Sequence, residues 1–167
     1  MTTDGIKEPL LLTIAVLGGT GKEGKGLAYR WAKAGYKVLI GSRSEERAVT
    51  AASEIMELAE GSTSIVGTSN HEAAQLADIV VLTVPFAAHR ETLESVKDVL
   101  KGKTLIDVTV PLVPPKVTKV QMPSAGSAAQ EAKEIVGEGV EVVAAFHSIS
   151  HEHLLKDDYV ESEVLVT

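Results

Sequence analysis

Gly19, Gly21 and Gly24 stand at G-x-G-x-x-G spacing within the stretch GGTGKEG, between an apolar run and a helix-like segment. In a strand–loop–helix setting each glycine has a mechanical duty. The first permits a tight turn, the second lets backbone N–H groups approach a pyrophosphate, and the third lets the helix sit against the strand. The helix N-terminus adds unpaired donors and a partial positive charge for an anion. Thr20, Lys22 and Glu23 complete the loop. The chemistry implied is dinucleotide binding. A merely glycine-rich turn is the bland alternative, which the flanking strand and helix disfavour.

The residues that follow choose the dinucleotide. In NAD-binding versions of this arrangement an acid near the end of the second strand takes the ribose hydroxyls. Here that place holds Ser42 and Arg43, with no acid until Glu45. A carboxylate would repel a 2′-phosphate, whereas a guanidinium pairs with it through charge-assisted hydrogen bonds. Arg47, four residues on, shares a helix face with Arg43, and Ser42 and Thr20 can add hydroxyls. The competing role for both arginines is a surface pairing with Glu45 and Glu46. Two arginines at the adenosine end of a glycine loop, in a chain of net charge −7, favour the phosphate and hence NADP over NAD.

At the other end, ligands of open α/β sheets lie outside the carboxyl ends of the strands. That rule nominates Thr83-Val84-Pro85-Phe86, the stretch from Thr109 to Pro114, and His147-Ser148-Ile149. Small apolar surface with a few hydroxyls suits a flat heteroaromatic ring. His147 is either a strand-end histidine bonded to backbone or a catalytic group. His147 and His151 have helical spacing, yet Ser148-Ile149 reads as loop and no carboxylate completes a zinc pattern, so no metal is expected. His71 and His89 fall in helical stretches and read as surface residues. No nucleophile–base–orienter set is legible, and no G-x-S-x-G elbow surrounds a serine. Hydride transfer between two bound rings needs neither, because the cofactors carry the chemistry.

The elements that must position these residues alternate along the chain. Strands are expected at Leu10–Leu17, Tyr36–Ile40, Ser64–Val66, Ala77–Val84, Lys103–Val108 and Val140–Phe146, with a seventh at Ser162–Val166. Between them run a helix bearing Leu27, Ala28, Trp31 and Ala32, a helix N-capped by Ser44 with the stripe Ala48, Ala52, Ile55 and Ala59, and a brief one with Ser69 and Glu72 at capping-box spacing. Pro85 opens another, with Leu93, Val96 and Leu100 buried, and Ser124–Val136 forms the next. PLVPP at 111–115 is a stiff connection. Such alternation predicts a Rossmann-type, doubly wound α/β fold: a mostly parallel sheet of six to seven strands with helices on both faces. Residues 1–9 read as a flexible tail, and 10–167 as one NADP-binding domain.

Composition agrees. Aromatic residues are only 4%, so the core must be built from Val, Ile, Leu and Ala, as in a buried parallel sheet. The acidic balance argues against nucleic acid, which needs a basic face. Without cysteine there are no disulfides or thiolate metal sites. The apolar run at 10–17 is too short to cross a membrane, and Asp4 and Glu8 rather than a basic cluster precede it, with a glycine loop where a signal peptide would be cleaved. The chain reads as soluble and cytoplasmic, with small-molecule coenzymes as partners.

The run LLTIAVLGGTGKEGKGLAYRWAKAGYKVLIGSRSEERA, then DIVVLTVPF, PLVP and FHSI, resembles the NADPH-dependent oxidoreductases of the deazaflavin coenzyme F-420. The likeness covers nearly the whole chain from Leu11. It implies reversible hydride transfer between NADP(H) and coenzyme F-420, both held in one cleft. By resemblance, Thr20, Ser42, Arg43 and Arg47 hold the 2′-phosphate, and Gly19, Gly21, Lys22 and Glu23 line the pyrophosphate. Thr83, Val84 and Pro85 border the nicotinamide. His147, Ser148 and Ile149, with Pro111, Leu112 and Val113, lie against the deazaflavin. Ser148 and Phe86 stand where the family has threonine and often tryptophan. The family continues beyond the last strand into a helical lobe, so a homodimer or a lobe-supplying partner is expected. A non-catalytic NADP(H)-binding module, or an NADPH-dependent reductase of another flavin or small carbonyl compound, are the alternative functions.

Overall fold

The computed structural model describes residues 11–60, 64–112, 120–156, 159 and, as backbone, 164–166. The expected tail at 1–9 lies outside the described residues, as do Val113, Pro114 and Pro115.

Strand β1 (Thr13–Leu17) is the axis of the molecule. Its side chains alternate between two cores: Ala15 and Leu17 face one cluster, Val16 the other. A strand apolar at every position is therefore one covered on both sides. It pairs in parallel with β2 (Lys37–Ser42) on one side and β4 (Ile79–Leu82) on the other, so that Val16 stands between Ile40 and Val81. Beyond them come β3 (Ile65–Ser69), β5 (Thr104–Asp107), β6 (Glu141–Ala145) and β7 (Val164–Val166). The order is β3-β2-β1-β4-β5-β6-β7, parallel except for β7, which pairs with β6 antiparallel. The chain leaves β1 for one half of the sheet and returns to build the other. A crevice must open where the connections diverge, at the carboxyl ends of β1 and β4.

Helices α1 (Lys22–Lys33) and α2 (Glu45–Leu58) cover one face through Ala28, Ala32, Ala48, Ala52 and Ile55. Helices α3 (Asn70–Leu76), α4 (Phe86–Val96) and α5 (Ala128–Val136) cover the opposite face through Ala73, Leu93, Val96 and Ala132. Short α6 (His151–Leu154) seats Leu154 beside Leu27. Alanine is the contact residue on both faces, which lets helix axes come close to the sheet.

The expected caps form: Ser44 Oγ accepts from the Arg47 N–H and Ser69 Oγ from the Glu72 N–H. Several boundaries move; β2 runs on to Ser42 and β4 is confined to Ile79–Leu82. Strand β3 runs on through Gly-Thr-Ser because its register with β2 extends to Ser42↔Ser69; a local sequence rich in turn residues is overruled by pairing. Helix α5 starts at Ala128, capped by Ser127, because Gly126 at φ +105° breaks the stretch that began at Ser124. Trp31 is half-buried, its ring edge-on to Phe146 at 6.1 Å.

His89 overturns the expectation of a surface residue. It is fully buried, enclosed between α4, β5 and α5, with Nε2 2.8 Å from Asp107 Oδ2. Its spacing from Leu93 and Val96 puts it on the buried face of α4, and the acids supplied by other elements make that interior position tolerable for an imidazole.

Candidate functional site

A cleft of about 900 Å³ opens over the carboxyl ends of the parallel strands. At its centre the β1–α1 loop turns through Gly18, φ +73°, where a Cβ would also lie 2.5 Å from Val84 Cγ1. The strained turn thus falls one residue before the first motif glycine. Gly19 is required for space: a Cβ there would meet the Val16 carbonyl at 2.8 Å and Ile40 Cγ2 at 3.1 Å. Gly24 packs α1 against the sheet, its absent Cβ 2.7 Å from both Gly19 Cα and Thr83 Oγ1. Gly21 differs, having only the Gly18 carbonyl at 3.7 Å from a Cβ position. Its surroundings are open to the cleft, as the glycine nearest a pyrophosphate requires.

Gly21 is also the N-cap of α1, with no side-chain hydrogen bond to the helix. First-turn N–H groups without a side-chain cap are the ready donors for an anion. Glu23 lies in this turn with Oε1 buried and unpartnered among the described residues. Burial pushes its carboxyl above the usual range, against the opposing pull of His151.

Ser42 ends β2 buried, and its Oγ accepts from the Ser44 N–H at 3.2 Å. Arg43 and Arg47 are exposed on the cleft rim, and among the described residues neither forms an ion pair with Glu45 or Glu46. At the other end Thr83 is fixed by two bonds to Leu17, N–H to carbonyl at 3.0 Å and Oγ1 to the same oxygen at 2.9 Å. Val84, Pro85 and Phe86 continue that wall. Phe146, at φ +64°, turns the chain off β6 into His147, and Ile149 N–H returns to the Phe146 carbonyl at 3.3 Å. A left-handed phenylalanine is a strained residue held by its packing.

The cleft brings together Thr20, Gly21, Lys22, Glu23, Ser42, Arg43, Arg47, Thr83, Val84, Pro85, Leu112, His147 and Ile149. Gly19 and Gly24 lie behind it as packing positions. Ser148 is exposed and Pro111 half-buried, and neither lines the cleft. Val113 is outside the described residues. His151 starts α6 while His147 precedes that helix, so the two do not share a helix face.

Several lining residues escaped sequence reasoning. Asn70 Oδ1 accepts the Gly18 N–H at 3.3 Å and would meet a Cβ on Gly41 at 2.8 Å, wedging the loop against β2. Applying the strand-end rule to β3 as well would have found it. Thr92, Val108 and Phe146 also line the cleft, on positions whose local pattern says only core.

Fold order, glycine loop and open helix N-terminus together define a Rossmann-type dinucleotide-binding α/β protein. Residues 13–111 match the family described as NADP oxidoreductase, coenzyme F-420-dependent, and the chain belongs to that family. It is 45% identical over 149 residues to the F-420-dependent NADP reductase of Methanothermobacter marburgensis, covering 86% of this chain and 66% of that one. The corresponding protein of Methanocaldococcus jannaschii is 36% identical over 162 residues, covering 93% and 72%. A solved structure of an F-420-dependent NADP-reductase candidate from Arthrobacter sp. FB24 superposes with a TM-score of 0.70 at 22% identity, over 85% of this chain and 65% of that one, a likeness of fold. The chain thus spans about two-thirds of the length of the Methanothermobacter relative. No helix among the described residues is long and apolar enough to cross a membrane.

Proposed function

We propose that the protein transfers a hydride between NADP(H) and coenzyme F-420 held in this one cleft. One observation carries the proposal. A continuous surface runs from Arg43 and Arg47, past the open backbone at Gly21, to an apolar wall of Val84, Pro85 and Ile149. The first part suits a 2′-phosphate, the second a pyrophosphate, the third a pair of flat rings.

The fit has a physical basis at each station. Arg43 and Arg47 offer charged donors with no carboxylate already engaging them among the described residues. The α1 N-terminus presents N–H groups without a side-chain acceptor. Thr83, immobilised on Leu17, fixes the floor on which a ring would rest. The nicotinamide and deazaflavin supply the redox chemistry; the protein's residues orient them and exclude water. His147, exposed on the rim beside the apolar wall, orients the second ring in this proposal.

The test is direct. Mixing the protein with NADPH and oxidised coenzyme F-420 should bleach the deazaflavin absorbance. Retained NADPH binding without bleaching would leave a non-catalytic NADP(H) module. Bleaching of flavins alone would make it a reductase of another class. A cytoplasmic location and a homodimer or lobe-supplying partner accompany this proposal, to be checked by fractionation and by sedimentation.

A further inference from the structure

Below the apolar wall lies a charged cluster that no cleft residue predicts. His89 is fully buried one helical turn from Phe86, and the two rings are 5.5 Å apart at 33°. Its Nε2 is 2.8 Å from Asp107 Oδ2, at the end of β5. Its Nδ1 is buried, 3.4 Å from Glu131 Oε1 on α5 without hydrogen-bond geometry. Glu131 in turn faces Arg90 Nη2 at 3.5 Å. These are the ionisable groups that face His89 from α4, β5 and α5 among the described residues.

The contacts orient the ring. Nε2 meets the Asp107 carboxylate at hydrogen-bond distance, so an N–H there donates to Oδ2, and a buried carboxylate persists when it is hydrogen-bonded in this way.

Asp107 has a second duty. Its Oδ1 accepts the Thr109 N–H at 2.9 Å, and Thr109 Oγ1 reaches the Val84 carbonyl at 3.5 Å. Thr109 lines the cleft. We propose that His89 is the positioning residue of this wall: its Nε2–H holds Asp107, and Asp107 holds the Thr109 backbone, whose hydroxyl reaches Val84, beside the reacting rings. The inference rests on the two-coenzyme reading of the cleft. Its consequence is selective. Hydride transfer depends steeply on the separation of the reacting carbons, so a loosened wall lowers kcat. The glycine loop and Arg43 are untouched, so NADPH affinity holds.

The experiment uses the whole chain with His89→Leu and His89→Gln. The glutamine keeps an N–H donor for Asp107. Nitrogen NMR of the wild-type ring should report a proton on Nε2. His89→Leu should accelerate exchange of the Thr109 amide by about tenfold, the factor expected for one lost hydrogen bond, with β1 amides unchanged. In turnover with NADPH and coenzyme F-420, kcat should fall while the NADPH KM stays level. His89→Gln should recover most of both losses. A wild-type ring with no proton on Nε2, unchanged Thr109 exchange, or a glutamine as impaired as the leucine overturns the proposal. Acceleration spread across β1 does so too, because His89 would then serve the fold alone. If the wild type does not turn over, the functional reading fails, and the ring and amide measurements still decide the role of His89.

Discussion

Gly24 on α1 and Thr83 after β4 touch so closely that a Cβ on the glycine would lie 2.7 Å from the threonine hydroxyl. That hydroxyl is itself bound to the Leu17 carbonyl. The contact joins the glycine loop to the floor of the opposite half-site, across the point where the sheet changes direction. Gly24→Ala should therefore displace both. Its cost should be that of overpacking, about 1–3 kcal/mol, seen as a lower denaturant midpoint. NADPH binding should weaken along with stability. An alanine variant of full stability and affinity would mean that α1 can move outward freely.

Arg43→Ala tests the choice of dinucleotide. Loss of a charged hydrogen-bonding partner should weaken NADPH about 10- to 100-fold and leave NADH nearly unchanged. Titration by fluorescence decides it, and equal losses for both cofactors would remove the arginine from the 2′-phosphate. The effect should shrink as salt rises, because the site is exposed.

Glu23 carries a pH prediction. Burial raises its carboxyl pKa in the folded protein, and the His151 charge only partly opposes this. A raised acid binds its proton more tightly when folded, so its contribution is most favourable below the ordinary carboxylate range. It is lost as pH rises through the folded value. Glu23→Gln should match the wild type in acid and exceed it in thermal stability toward neutral pH. Parallel stability curves across that window would refute the assignment.

Arg30 holds the third strand-end segment in place. Its guanidinium donates to the Leu154 carbonyl at 2.7 Å and the His153 carbonyl at 2.8 Å, and also to that of Lys156. Leu154 meanwhile fills the space over Gly26, where a Cβ would be 2.6 Å from it. Arg30→Ala should free the segment carrying His147 and Ile149. The KM for coenzyme F-420 should rise about tenfold, with that for NADPH little changed. Lysine should rescue only in part, lacking the fork that spans several carbonyls.

Much of the architecture was legible because it is local. The apolar run of β1, the alanine stripe of α2 and the caps at Ser44 and Ser69 each follow from spacing that a few neighbouring residues decide. The glycine loop was legible for the same reason, though the left-handed turn fell on Gly18, where a neighbouring-residue pattern cannot distinguish one glycine of a pair. Strand β3 was misplaced because pairing with β2, a distant partner, set its end.

What the sequence alone determined is the dinucleotide half: a strand, glycines at fixed intervals, a helix start and arginines where an acid would otherwise stand. All of these lie within Thr13–Arg47, close enough in the chain for spacing to specify geometry. The tertiary structure decided the rest. Asn70 reaches Gly18 and Gly41 only because β3 runs beside β2, and Ser148 turns from the cleft only because Phe146 bends the chain off β6. His89 looked like surface because an imidazole is polar, although its spacing from Leu93 and Val96 turns it inward. Its charged neighbours come from β5 and α5, and long-range packing alone could bring them within reach.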